Sequence, residues 1–399
     1  MKAALPDDKL AVVWKQVQAQ AGAFKNISGI QVSEKESYHV ATVTCAFSNS
    51  SLDVKVVIDS TGLIAGLFFS PSSTAASVES TWTPAPYAHR EAFQERPATV
   101  GSETPWPLPA MLTLPLGKGP FPAIVLVHGS GPEDQDETIG PNKPFKDLAQ
   151  GLASQGVAVL RYEKRTRAFP DHVAADGLYT PRDEVIDDAE HAVSLLSKMP
   201  EIDTKHIFLL GHSFGGTLAP RIAEEDSRIA GIVLMAGGSR PLEQAALEQL
   251  KYIAALPGNA KNDALQKQIA EAEKTVQQIE SPALRASDTI NFLGSHIPGS
   301  YFLYLRSYKP DATAARLHLP ILVLQGGHDY QVTKADYELW QRSLAAKQTA
   351  TFRFYPSLTH LFLPAPHEGP AAPADYAAPG HVAAEVIADI ADWIKANSK

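Results

Sequence analysis

Residues 207–219 read Ile-Phe-Leu-Leu-Gly-His-Ser-Phe-Gly-Gly-Thr-Leu-Ala, and the fold turns on this stretch. Ile207–Leu210 has the length and unbroken apolarity of a strand buried on both faces. The glycines after it predict an abrupt turn into a helix beginning near Phe214. Gly211-x-Ser213-x-Gly215 is then a nucleophile elbow, the strand–turn–helix motif that lifts a serine hydroxyl above a sheet edge. Only small residues fit beside such a turn, hence glycine two positions to either side. At ordinary glycine abundance the pattern arises by accident about one time in ten in a chain this long, so its partners must decide the role of Ser213.

Outward from the elbow, strand-like runs alternate with amphipathic segments. Strands are expected at Ala123–Val127, Val157–Tyr162, Ile229–Met235, Ile321–Leu324 and Thr351–Tyr355. Helices are expected at Phe145–Gln155, Pro181–Ser197, Lys334–Ala345 and from about His381 to Ala396. Apolar strands separated by helices imply a mostly parallel sheet covered on both faces, with ligands at the carboxyl ends of the strands. Between 240 and 315 the alternation stops, and Pro241–Leu256 and Asp263–Ile279 read as a helical insertion emerging over that edge as a cap. Its aromatic stretch Tyr301-Phe-Leu-Tyr304 either lines a pocket or glues cap to core. Pro220 is expected to kink the helix after the elbow.

Residues 1–69 read as a separate small α+β domain. Asp7 and Asp8 cap a helix with Leu10, Val13, Trp14 and Val17 on one face, and four period-two strands follow. No acid, base or ligand cluster stands in it, which favours a binding or assembly module. Residues 70–86, rich in Ser, Thr, Pro and Ala, form a linker, and 87–399 the catalytic domain.

An activated serine needs a base, and the base an orienting group, in the chain order Ser, Asp or Glu, His. Asp329 falls at the end of strand Ile321–Leu324 and His360 in the loop after Thr351–Tyr355. His328, His367 and His381 are rival histidines, and Asp329 has the alternative of a plain turn residue. The oxyanion donors expected are the N–H groups of Phe214, next after the nucleophile, and Ser130, in the loop His128-Gly-Ser-Gly-Pro132. Glu133–Glu137 and Arg161–Arg167 are expected to pair with one another rather than to recognise a charged substrate. Tyr301, Tyr304 and Tyr330 are candidate substrate contacts.

Composition narrows the field. The 399 residues are 44% hydrophobic with a net charge of −9 and no basic stripe, which excludes nucleic acid as an expected partner. Cys45 is the only cysteine, so no intrachain disulfide or Cys-based zinc cluster is available. No histidine–carboxylate spacing of a metal hydrolase and no nucleotide-binding glycine motif is present, so neither metal nor cofactor is expected. No apolar run reaches the about 20 residues of a membrane span. The opening Met-Lys-Ala-Ala-Leu-Pro-Asp-Asp lacks a secretory apolar segment, but a mature exported form reads the same way, so the compartment stays open.

Taken together, Ser213, Asp329, His360 and His128–Pro132 resemble the α/β-hydrolase superfamily. Within it, Thr138-Ile-Gly-Pro-Asn-Lys-Pro-Phe-Lys146, Arg161-Tyr-Glu-Lys-Arg165 and Gly326-Gly-His-Asp-Tyr-Gln-Val332 are similar to bacterial esterases related to esterase D and to prolyl-oligopeptidase-like hydrolases. The resemblance implies cofactor-free hydrolysis of short-chain carboxylic esters, with a small N-terminal domain and many exported relatives. Three alternatives stay open: a serine aminopeptidase or acylpeptide hydrolase, an acyltransferase using the same acyl-enzyme, and a binding or scaffold protein with an idle hydrolase domain. Oligomeric state and acyl specificity are not readable.

Overall fold

The computed structural model describes residues 14, 17, 18, 21–35, 38–47, 51–71, 82–170, 177–259 and 262–399. The chain divides into two compact units, residues 1–82 and 83–399.

The first unit is a four-stranded antiparallel meander of β1 (Phe24–Lys35), β2 (Tyr38–Phe47), β3 (Ser51–Ile58) and β4 (Ile64–Pro71), in that order. Its described core is small: Val17, Ala21, Cys45 and Phe47, with Trp14, Val43, Leu52, Val54 and Phe69 packed around them. Trp14, Phe24 and Phe47 form a ring cluster with centroids 5.7–5.8 Å apart. The expected capping residues Asp7 and Asp8, and Leu10 and Val13 of the same helix, lie outside the described residues, as do 72–81 of the linker.

The second unit is built on eight strands: β5 (Phe93–Val100), β6 (Leu108–Pro115), β7 (Phe121–Val127), β8 (Ala158–Tyr162), β9 (Ile202–His212), β10 (Ile229–Met235), β13 (Ile321–His328) and β14 (Ala350–Thr359). Between β10 and β13 lies a separate small hairpin, β11 (Thr289–Phe292) and β12 (Ser295–Pro298). The sheet order is β14-β13-β10-β9-β7-β8-β6-β5. The six strands from β14 to β8 are parallel, β6 pairs antiparallel with β8, and β5 pairs antiparallel with β6. Pro97 sits on β5, the outermost strand, where a missing N–H costs no ladder bond.

Alternation along each strand sends successive side chains to opposite faces, which explains the unbroken apolar runs. Ala123, Val125, Val127, Ile207 and Leu209 pack on one face with helices Asp187–Leu196 and Phe214–Glu225. Ile124, Leu126, Phe208 and Leu210 pack on the other with helices Pro144–Ser154 and Ala384–Ala396. This is the α/β-hydrolase architecture.

Two segments differ from expectation. The segment expected as one helix from Pro181 opens with a π-helical turn at Arg182–Ile186 before the α-helix. The insertion contains the expected helices, as Leu242–Ala255 and Asp263–Glu280, plus the β11–β12 hairpin and helices Gly299–Ser307 and Pro310–Arg316. It has a core of its own in Ala246, Ile279, Leu284, Ile290, Phe292 and Phe302. The helix after the elbow runs through Pro220 to Glu225.

Candidate active site

At the end of β9, Ser213 adopts φ +52° and ψ −116°, a left-handed conformation that costs a non-glycine residue energy. Its N–H donates to Met235 O at 2.9 Å and its C=O accepts from Thr217 N–H at 3.0 Å, so sheet and helix hold the strained residue between them. The flanking glycines are steric necessities. A Cβ on Gly211 would fall 2.1 Å from Gly215 O, and one on Gly215 would fall 2.3 Å from Val127 O.

Asp329 follows β13 and His360 follows β14, which places both at the carboxyl edge that carries Ser213. His360 Nδ1 lies 2.7 Å from Asp329 Oδ2, and both residues are buried. Asp329 Oδ1 accepts the N–H groups of Gln331 (2.8 Å) and Val332 (3.0 Å), while Gln325 Nε2 donates to Oδ2 at 3.2 Å. These bonds fix the carboxylate with Oδ2 toward the imidazole. Ser213, His360, Phe214 and Ser130 all line one cavity of about 860 Å³ under the insertion.

The rival histidines are engaged elsewhere. His328 Nε2 is 3.0 Å and His367 Nε2 2.9 Å from the Asp375 carboxylate, and His381 Nδ1 is 3.0 Å from Asp147. None of the three lines the cavity.

A buried polar layer under the site escaped the sequence reading. Glu137 Oε1 accepts the Gly129 N–H at 2.8 Å, and Oε2 stands 2.9 Å from His212 Nδ1. Burial opposes charge on both groups, yet their mutual attraction outweighs it, lowering the pKa of Glu137 and raising that of His212. His212 Nε2 in turn bonds the His360 carbonyl at 3.0 Å. Lys164 Nζ donates to Gly129 O at 2.8 Å and pairs with Glu184 at 2.7 Å, and Tyr301 donates its hydroxyl to Glu184 at 2.7 Å. The Gly129–Ser130 peptide is planar and trans, so drawing its C=O toward Lys164 turns the Ser130 N–H the opposite way. Burial pushes His128 down to about 4, so it is neutral at pH 7 and bonds Asp134 O. Nothing local signals these partners: Glu137 and His212 are far apart in the chain.

The charged stretches do pair, mostly with third parties. Arg161 holds both Asp136 (3.0 Å) and Glu95 (2.7 Å), Arg165 holds Asp188, and Arg167 holds Glu163. Glu133 lines the cavity and forms no ion pair among the described residues, and the Asp134 carboxylate is taken up by the N–H groups of Asp136 and Thr138.

Of the three tyrosines expected at substrate, only Tyr301 lines the cavity, stacked on Phe214 with centroids 6.3 Å apart. Tyr304 packs against the main core, and Tyr330 stacks on Tyr252 at 5.8 Å, so neither lines the cavity with Tyr301. Both rings are taken up in joining insertion and loops.

Residues 120–366 match the family model described as "Serine aminopeptidase, S33", a span that includes Ser213, Asp329 and His360. The chain belongs to that family. This places it among the serine hydrolases of the α/β-hydrolase fold. Residues 1–67 match a second model, described as a protein of unknown function. The chain is 38% identical over 394 residues to the esterase EstD of Thermotoga maritima, covering 99% of this chain and 89% of that protein. Among solved structures it is similar to Est1E of Butyrivibrio proteoclasticus (14% identity, TM-score 0.49, 75% of this chain and 98% of that one). An esterase of Pyrococcus furiosus compares similarly (15% identity, TM-score 0.48, 80% and 95%). No helix among the described residues is long and apolar enough to cross a membrane.

Proposed function

We propose that the protein is a serine carboxylesterase acting on short-chain acyl esters through an acyl-enzyme, with Ser213, His360 and Asp329 as its triad. The observation that carries this is the buried 2.7 Å His360–Asp329 pair sharing one cavity with a strained Ser213. Kinship over nearly the whole chain to a protein named esterase supports ester over amide.

Ser213 Oγ attacks the acyl carbonyl as His360 Nε2 takes its proton, and Asp329 holds the imidazole tautomer and stabilises the imidazolium. The negative oxygen of the tetrahedral intermediate is met by the N–H groups of Phe214 and Ser130, each donor worth about 2.7–4 kcal/mol. His360 returns the proton to the leaving alcohol, and water repeats the sequence on the acyl-enzyme. The 83–399 unit performs this chemistry under the cap at about 240–315, and the N-terminal unit serves binding or assembly.

The family description favours a second reading, an aminopeptidase, since Glu133 and Glu243 put carboxylates in the cavity where an α-ammonium would dock. Hydrolysis of p-nitrophenyl butyrate against aminoacyl p-nitroanilides separates the two. The esterase reading expects kcat/KM to favour the butyrate by at least about 100-fold, roughly 2.7 kcal/mol. Preference for the anilides overturns it.

Glu133 adds a pH signature. Burial and the nearby Glu137 push its carboxyl up to about 7, so it is neutral below and ionised above that pH. A monosuccinyl ester, whose acyl group carries a carboxylate, should lose about fivefold in kcat/KM relative to butyrate between pH 6 and 8, and about tenfold once Glu133 is fully ionised. That is the roughly 1.4 kcal/mol of two like charges about 12 Å apart at an effective dielectric of 20. Glu133→Gln should flatten the ratio across that range.

A further inference from the structure

His328, His367 and Asp375 take no part in this chemistry, yet they converge from three segments on one point. His328 ends β13 beside Asp329, His367 lies in the loop after β14, and Asp375 belongs to the 3-10 turn Pro373–Ala377. His328 Nε2 is 3.0 Å from Asp375 Oδ2, and His367 Nε2 is 2.9 Å from Oδ1. The Ala372 N–H donates to Oδ2 at 2.8 Å and holds the carboxylate in place. Asp375 and His328 are largely covered, while the His367 side chain is 48% exposed, so the cluster opens to solvent on one side.

We propose that these three side chains form a site for a divalent transition metal of the zinc class, which staples the loop after β14 to the loop that carries Asp329. Two imidazole nitrogens and one carboxylate oxygen are the donor set of zinc and its neighbours; calcium and magnesium take oxygen alone. All the donor atoms lie within 4.8 Å of one another. Tetrahedral zinc at about 2.0–2.1 Å sets its ligands about 3.4 Å apart, so the exposed His367 closes by up to about 1.4 Å, and water fills the fourth position. Each imidazole becomes a ligand by moving its proton from Nε2 to Nδ1. The metal-free junction is also tied by Gln331 Nε2 donating to the Tyr376 hydroxyl at 2.7 Å, so removing His367 leaves the loops joined. The ligand residues stand far apart in sequence, at 328, 367 and 375, which is why no short metal motif marks them. The staple is structural: none of the three residues lines the cavity, and no step of hydrolysis passes through it.

The test uses the full chain stripped with a chelator, titrated with Zn²⁺ by calorimetry and with Co²⁺ by visible absorption. One Zn²⁺ per chain, a four-coordinate Co²⁺ spectrum and a Zn²⁺-dependent rise in melting temperature are expected. His367→Ala and Asp375→Asn should each weaken Zn²⁺ binding by about 100-fold or more, the upper end of what even an outer-sphere loss costs. The melting curve of metal-free His367→Ala, matched to metal-free wild type, verifies that the variant is folded. Absence of stoichiometric Zn²⁺ binding, undiminished binding by folded His367→Ala, or a six-coordinate Co²⁺ spectrum each overturns the proposal.

Discussion

Ser213→Ala is expected to lower kcat for p-nitrophenyl butyrate by about 10⁴- to 10⁶-fold, the range seen when a triad member acting as part of a unit is removed. The melting temperature should stay near that of the wild type. Alanine keeps the Cβ, so the backbone at φ +52° is no more strained than before, and the lost hydroxyl faces the cavity rather than the core. A residual rate over water should persist, because the N–H groups of Phe214 and Ser130 still meet the oxyanion. A variant that retains more than about a tenth of the activity, measured in the same assay on folded protein, would place the nucleophile elsewhere.

Asp329→Asn is expected to cost about 10⁴-fold in kcat, and for a different reason. Oδ1 of Asp329 accepts two backbone N–H groups, from Gln331 and Val332, so an asparagine there must present its carbonyl oxygen to them. Its amide nitrogen then faces both His360 Nδ1 and Gln325 Nε2. Facing a donor, the imidazole must accept at Nδ1 and carry its proton on Nε2, the tautomer that is unable to take the proton of Ser213. The opposed amide of Gln325 adds about 1–3 kcal/mol of instability, visible in the denaturation midpoint. A loss of stability without the loss in kcat would reduce Asp329 to a turn residue.

The features legible in the sequence were those with a local signature. Six strands of the sheet could be read from their apolar runs, and the order Ser213, Asp329, His360 emerged because each residue follows one of them. The insertion's two long helices, 242–255 and 263–280, were legible from their one-sided apolar spacing. Its hairpin at Thr289–Pro298 was not, since four-residue strands give too short a period to detect. Strand ends were also missed: β9 begins at Ile202 and β14 runs to Thr359, each extending past its apolar run through polar residues and a break in the ladder register.

What the sequence hid was the polar layer. Glu137 is buried against His212 and Gly129, and Lys164 against Glu184 and Gly129, through contacts made between distant segments. Their stretches were expected to pair with one another, but Glu137 and Lys164 take partners from other segments, His212 and Glu184. The same limit explains Tyr304 and Tyr330, whose aromatic character was visible but whose direction was not.

The most direct measurement of the account is labelling of the folded, full-length protein with a fluorophosphonate, followed by intact-mass analysis and peptide mapping. One adduct per chain on Ser213, absent in Ser213→Ala and slowed by Asp329→Asn, is the predicted result. No adduct, or an adduct on another residue, would contradict it.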